Sequence, residues 1–159
     1  HRWTERYEEL RMRTENFFDK TGANVKIFLA NMGPIPQHKA RADFVTSFMQ
    51  VAAFEVVTNN GFLTVEEAVK AALESGADAA IVCSTDATYP EDVPALAPRL
   101  KEVLGKGTLF LAGAAPKDME AVYREAGIDE FISVKANCYD ILRMLQQKKG
   151  MKITEEEVK

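Results

Sequence analysis

The side chains best suited to chemistry in this chain lie in short loops that follow apolar segments. Four loops have this position, and each comes directly after a segment with the pattern of a buried strand: residues 31–38, 59–64, 84–90 and 112–116. In an open α/β sheet such loops meet at the carboxyl edge of the strands, where ligands bind. We therefore expect any functional site to lie on that edge and to draw on several loops.

The first loop contains His38, the only histidine of the chain apart from His1. A helix start disfavours the imidazolium and keeps the ring neutral, as a metal would require, although a lone histidine there is more often a surface or capping residue. The loop has no glycine-rich phosphate motif, and Pro34 and Pro36 lack the backbone N–H groups that hold a phosphate. The sequence therefore argues against a dinucleotide or P-loop site.

The third loop is rich in hydroxyl groups, with Ser84, Thr85 and Thr88 close together. These groups can bind a polar ligand, but capping the helix that follows is their commoner task. The fourth loop, residues 112–116, is small and apolar around Gly113. Small residues there either let a bulky group approach the sheet or make a tight turn. The chain has no Gly-x-Ser-x-Gly motif, so a hydrolase is not supported.

Two charged residues raise the alternative of a receiver-like signalling domain. Asp86 follows the third predicted strand and Lys135 follows the fifth, as the phosphorylated aspartate and the lysine of a receiver do. A receiver also needs an acidic pair after its first strand to hold Mg²⁺. Asn31 and Met32 occupy those positions here, so the sequence disfavours phosphoryl transfer.

Apolar and amphipathic segments alternate along the chain from residue 25 onward. Strands are predicted at residues 25–30, 54–57, 79–83, 108–111 and 130–132, and helices near residues 38–52, 64–75, 91–104, 117–126 and 138–149. The third strand is apolar at every position, which is typical of burial on both faces of a parallel sheet. The alternation predicts an α/β, flavodoxin-like (Rossmann-like) doubly wound sheet of five parallel strands in the order 2-1-3-4-5, with helices on both faces.

The two ends of the chain differ from this central unit. Residues 1–22 are predicted to form an amphipathic helix that either packs on the domain or links it to a preceding one; its stripe comprises Trp3, Tyr7, Leu10, Thr14 and Phe17. The α/β domain is expected over residues 23–150, and residues 151–159 read as a polar tail.

Composition excludes several classes of protein. Of the 159 residues, 47% are hydrophobic and the net charge is −4, so the chain has a core and lacks the basic character of a nucleic-acid binder. No apolar run approaches the roughly 20 residues that span a membrane. Cys83 and Cys138 have no metal-binding spacing, and Cys83 is expected to be a reduced core thiol. We therefore expect a cytoplasmic protein.

Five segments occur along the chain in a diagnostic order: Phe54–Val57, Thr64–Val69, Gly76–Asp78, Leu109–Gly113 and Ala126–Asp129. In this order and spacing the chain resembles, from about residue 25 to residue 149, the cobalamin-binding domain of methylmalonyl-CoA mutase. Residues 3–14 are similar to the segment that follows the barrel domain of that mutase. The resemblance implies a relation to an isomerase that uses adenosylcobalamin.

The resemblance breaks down where the family binds its cofactor. The family carries Asp-x-His-x-x-Gly after the first strand, and its histidine ligates the cobalt. Aligned through Gly33, those positions hold Ile35, Gln37 and Ala40. His38 lies one residue beyond the ligand position, which on a helix turns a side chain by about 100°. Neither Gln37 nor His38 is therefore expected to replace the cobalt ligand.

Two further binding motifs of the family are altered as well. Its Ser-x-Leu appears as Cys83-Ser84-Thr85, and its Gly-Gly appears as Ala112-Gly113. The resemblance thus implies a degenerate cofactor site, with no catalytic residue and no metal ligand, at the following positions: Gln37, His38, Ser84, Thr85 and Gly113.

A chain that keeps the order and spacing of the family's segments but lacks its cobalt-binding histidine resembles the C-terminal domain of the non-catalytic small subunit of a heterodimeric mutase. The resemblance implies a catalytic large subunit as partner, and adenosylcobalamin that belongs to the holoenzyme and is not bound by this chain. The role expected here is structural, within the isomerisation of methylmalonyl-CoA and succinyl-CoA. Three alternatives stay open: a functional cobalamin-binding or carrier domain that keeps the cofactor's own base on cobalt or recruits His38, the receiver-like domain, and a site for another small molecule.

Overall fold

The computed structural model describes residues 2–153, with side chains from residue 5 onward. Helices and strands alternate along it as follows: α1 Arg2–Thr21, β1 Lys26–Asn31, α2 Ile35–Gln50, β2 Glu55–Val57, α3 Val65–Ser75, β3 Ala79–Cys83, α4 Tyr89–Leu104, β4 Thr108–Ala112, α5 Lys117–Ala126, β5 Glu130–Ile132 and α6 Cys138–Lys149. Residues 154–159, most of the predicted polar tail, lie outside the described part, as does the side chain of Trp3.

The strands form one parallel sheet in the order β2-β1-β3-β4-β5, which confirms the flavodoxin-like prediction. Every residue of β3 and β4 is buried, because helices cover both faces. One core lies between the sheet and α1, α2 and α6, and the other lies between the sheet and α3, α4 and α5. Among the described helices, none combines the length and apolar character of a membrane-spanning segment.

Two helices begin earlier than the sequence predicted. Helix α2 starts at Ile35 and α4 at Tyr89, whereas starts near residues 38 and 91 were expected. The expected starts were wrong because Pro36 and Pro90 stand in the first turn of each helix, where a missing N–H breaks no bond and the fixed φ suits a helix. As a result His38 lies inside α2, one turn from its start, and not in a loop.

The predicted helix ends follow the expected chemistry. Thr64 Oγ1 accepts a hydrogen bond from Glu67 N at 3.2 Å and so caps α3, as the capping pattern predicted. Gly76 ends that helix in the left-handed conformation, with φ of 62°, and Gly150 does the same for α6 with φ of 105°.

Helix α1 docks onto α6 through a fully buried glutamine. Gln146 Nε2 donates to Leu10 O at 2.7 Å and to Thr14 Oγ1 at 2.8 Å. Its Oε1 accepts from Arg13 Nη1 at 2.6 Å. Leu10 and Thr14 are themselves buried, as the predicted stripe requires. The first helix therefore packs against the last one through a satisfied polar network.

The amino edge of the sheet is closed by two aspartates in equivalent roles. Asp78 Oδ2 accepts from the backbone N–H of Lys26 at 2.9 Å, and Asp129 Oδ2 accepts from the N–H of Leu109 at 2.8 Å. Each carboxylate also pairs with a lysine, Asp78 with Lys149 and Asp129 with Lys101. These bonds tie the starts of strands together and leave the carboxyl edge as the place for a site.

Candidate functional site

The carboxyl edge between β1 and β3 is spanned by Gln37. Its Nε2 donates to Ser84 Oγ at 2.8 Å and to Met32 O at 3.3 Å. Ser84 is fully buried, and its hydroxyl lies 3.2 Å from the same Met32 carbonyl. Gly33, with φ of 86°, passes so close that a Cβ there would collide with the Gln37 amide. Gln37, which the resemblance aligns with a cobalt ligand, thus joins two loops of this chain.

The hydroxyl groups of the third loop bond to one another. Thr88 Oγ1 donates to Ser84 Oγ at 2.9 Å, and Thr85 Oγ1 lies 3.4 Å from Thr88 Oγ1. Ser84 Oγ therefore accepts from Gln37 and from Thr88 while it donates to Met32 O. This network satisfies the polar groups of the loop at the start of α4. The expected capping is not found, because no described side chain accepts a hydrogen bond from the first turn of α4.

Arg41, on α2, bonds to the loop of residues 84–90 and lies against Gly113 of the loop of residues 112–116. Its Nη1 donates to Ser84 O at 2.9 Å, its Nη2 to Asp86 Oδ1 at 2.7 Å, and its guanidinium carbon lies 5.4 Å from the centre of the Tyr89 ring. A Cβ at Gly113 would come within 3.0 Å of that guanidinium. Burial alone would lower the pKa of Arg41, but its bonds to Asp86 and contact with Tyr89 outweigh burial and raise it. Arg41 therefore stays charged over Gly113.

The Tyr89 side chain connects the carboxyl ends of β3 and β4. Its hydroxyl accepts from the backbone N–H of Ser84 at 3.0 Å and donates to Ala112 O at 2.7 Å. The side chain is buried, and that burial raises the pKa of the phenol well above its usual value. Tyr89 therefore acts as a fixed neutral bridge between two strand ends.

His38 lies apart from this network. It is 3% exposed, so the expectation of a surface residue is wrong, and its Nδ1 lies 3.1 Å from Gly33 O. Because a carbonyl only accepts, Nδ1 carries the proton of this bond. The ring faces a cleft on the β2 side, while Gln37 faces β3. The structure thus brings Gln37, Ser84 and Thr85 together and leaves His38 out.

Asp86, the residue that would be phosphorylated in the receiver-like alternative, lies in an ordinary solvent-exposed loop. The Asp86 side chain is 67% exposed and paired with Arg41. Asn31 ends β1 with an amide, and Met32 follows it with a thioether. Within residues 2–153, no cluster of three or more histidine, cysteine or acidic side chains is arranged to hold a metal.

The cysteines carry no sign of reactivity. Both are free, and Cys83 is buried, as predicted for a core thiol. Burial raises the pKa of the Cys138 thiol to about 11 and raises that of Cys83 further. Both thiols therefore stay protonated at neutral pH.

Replacing Arg41 with methionine is expected to lower the free energy of unfolding by about 1 to 2 kcal/mol, because the buried Ser84 carbonyl loses a charged donor. The measurement is urea unfolding followed by circular dichroism. Asp86→Asn is the matched control, and it should cost less than about 1 kcal/mol because that pair is largely exposed. Equal losses in the two variants would contradict the claim that Arg41 acts through Ser84.

The chain folds as a doubly wound α/β domain of the flavodoxin type. Its own side chains occupy the carboxyl edge of the sheet. The receiver domain of a sensor histidine kinase from Pseudomonas aeruginosa aligns over 79% of this chain and 97% of its own, with a TM-score of 0.55 and 16% identity. The chemotaxis protein CheY4 of Vibrio cholerae aligns over 79% and 98%, with a TM-score of 0.52 and 20% identity. These likenesses establish the fold. No protein-family model matches the chain.

Nearly the whole chain is homologous to methylmalonyl-CoA mutase small subunits, which confirms the resemblance. It is 33% identical over 148 residues to the small subunit of Porphyromonas gingivalis, and 33% identical over 147 residues to that of Streptomyces virginiae. Both alignments cover 92% of this chain and 22% of the relative. The chain therefore spans about a fifth of the length of the relatives it matches.

Proposed function

We propose that this chain is a structural domain, the C-terminal one, of a methylmalonyl-CoA mutase small subunit. In this proposal the holoenzyme interconverts methylmalonyl-CoA and succinyl-CoA with adenosylcobalamin, and the catalytic large subunit holds the cofactor. Homology to small subunits supports the relation to the mutase. The observation that carries the structural role is the bond from Gln37 Nε2 to Ser84 Oγ, which occupies the edge where the family places its cofactor.

The residues at this edge do not fit a cobalamin bound through a protein ligand. The Gln37 amide nitrogen has no lone pair for a metal, and it already donates to Ser84 and Met32. Ile35 stands where the family has the carboxylate that orients its histidine, and a hydrocarbon offers no such bond. Arg41 covers Gly113, where a bulky cofactor would have to approach. We infer a degenerate site, filled by the chain's own side chains.

The test is a visible-absorption titration of the 159-residue chain with hydroxocobalamin and adenosylcobalamin. We expect no spectral change and no colour retained after desalting, since neither a ligand nor space is provided. Gln37→His is the comparison variant: it restores a nitrogen at the ligand position while Arg41 and Tyr89 remain, so it should also stay colourless. Retained colour in the unaltered chain, with either a protein nitrogen or the cofactor's own base on cobalt, would instead support a carrier domain.

We further propose that the domain pairs with the large subunit as part of a cytoplasmic heterodimer. The name "small subunit" in the relatives supports the existence of a larger partner. In this proposal residues 1–22 form a linker helix, residues 23–150 the cobalamin-binding-type domain, and residues 151–159 a polar tail. Size-exclusion chromatography of the complete small subunit mixed with the large subunit tests the pairing: one joint peak is expected, and two separate peaks would contradict it.

A further inference from the structure

A cleft of about 480 Å³ opens on the other side of β1 from Ser84, between α2 and the loop that joins β2 to α3. Its lining includes Asn31, His38, Asp43, Thr58 and Asn60. A cleft of this volume suits a small-molecule ligand. The proposed structural role makes no use of these side chains.

Asn31 lines this cleft and carries a buried, unsatisfied acceptor. The residue is 1% exposed, and its Nδ2 lies 3.3 Å from both the backbone oxygen and Oδ1 of Asn59. The Asn59 amide is itself fixed, because its Nδ2 donates to Leu29 O at 2.8 Å and its Oδ1 accepts from Gly61 N at 3.0 Å. The Asn31 nitrogen must therefore face Asn59. Its Oδ1 is buried and has no partner among the described residues, a rare condition in a folded protein.

His38 supplies a second acceptor. Its Nδ1 proton is committed to Gly33 O, so in the neutral ring Nε2 carries a lone pair. No described side chain or backbone group donates to Nε2, and the ring lines the cleft beside Asn31. Gly61, with φ of 106°, lets its loop pass directly against the ring, where any Cβ would clash with it and with Gly33 O. The histidine is thereby held in one orientation.

The charges of the cleft cancel. Asp43 Oδ2 accepts from Lys39 Nζ at 2.9 Å, one turn earlier on α2, and both side chains are mostly exposed. The two charged side chains of the lining, Lys39 and Asp43, are thus paired with each other.

We propose that this cleft binds a small neutral molecule with N–H or O–H donors, such as a primary amide or a polyol. Asn31 Oδ1 and His38 Nε2 accept its hydrogen bonds. The inference is independent of the proposed role in the mutase, since the cofactor edge and this cleft lie on opposite sides of β1.

The test is an NMR titration of the 159-residue chain with two probes, acetamide and N,N-dimethylacetamide. They share a carbonyl, but only acetamide carries N–H donors. We expect acetamide to shift the Asn31 side-chain amide and the His38 ring nitrogen saturably, with half-saturation on the order of 10 mM for so small a probe. The dimethylated probe should leave both signals unchanged at equal concentration.

Two variants of exposed residues on α2 give the matched comparison. Ile35, 46% exposed, lines the cleft, and Ile35→Trp should fill its mouth and abolish the acetamide shifts. Phe44, 39% exposed, lies outside the lining, and Phe44→Trp should leave the shifts intact. The proposal is overturned if acetamide gives no saturable shift, if both probes act alike, or if Ile35→Trp binds acetamide as well as the unaltered chain does.

Discussion

Replacing Tyr89 with phenylalanine is expected to lower the free energy of unfolding by about 2 to 3 kcal/mol. The lost hydroxyl accepts the hydrogen bond of the Ser84 N–H and donates to Ala112 O. Ser84 is fully buried, so its N–H gains no water in exchange. A buried donor without an acceptor is more costly than the average lost hydrogen bond, because its desolvation is no longer compensated. Chemical denaturation at neutral pH measures the difference.

Tyr123→Phe is the control for this prediction. Tyr123 is equally buried and packs edge-on against Tyr89, with ring centres 6.5 Å apart. Its hydroxyl makes no hydrogen bond with a described residue, so its removal should change the free energy of unfolding by less than about 0.5 kcal/mol. If the two variants lose the same stability, the loss does not come from the bridge between Ser84 and Ala112.

Replacing Gln146 with alanine is expected to cost about 3 kcal/mol, from orphaned polar groups and a cavity together. The change removes the donor to Leu10 O and Thr14 Oγ1 and the acceptor of Arg13. Because these bonds join α1 to α6, hydrogen exchange should accelerate first in α1. Gln147→Ala, at the exposed neighbouring position, should leave exchange in α1 unaltered. Uniform acceleration over the whole sheet would show that α1 is not a separate unit.

The sequence was sufficient for the fold because its signals were local and consistent. Short uninterrupted apolar runs such as Ala79–Cys83, bounded by turn residues, favour strands buried on both faces, and a parallel sheet then follows from the helices between them. The left-handed glycines mark helix ends, as at Gly76. The errors arose at Pro36 and Pro90, since a proline reads equally well as a loop residue or as part of a first helical turn.

The site was only partly predictable, because its contacts depend on distances between loops. The positions of Gln37 and Ser84 were expected to lie on one edge, but their direct bond was not. Arg41 was missed, although it lies four residues after Gln37 and so on the same face of α2. Its hydrogen-bond partners, Ser84 and Asp86, lie more than 40 residues away along the sequence. His38 was misplaced because a shift of three residues in the helix start moved it from a surface loop into a buried turn.

The docking of α1 has a consequence for synthesis of the protein. Leu10 meets Gln146 across 136 residues of sequence, so α1 leaves the ribosome long before its partner helix exists. At about 5 to 20 residues per second, the wait is roughly 7 to 27 s. Throughout that interval the apolar stripe around Leu10 lacks the α6 surface on which it packs. Helix α1 thus reaches its final place only after α6 has been translated.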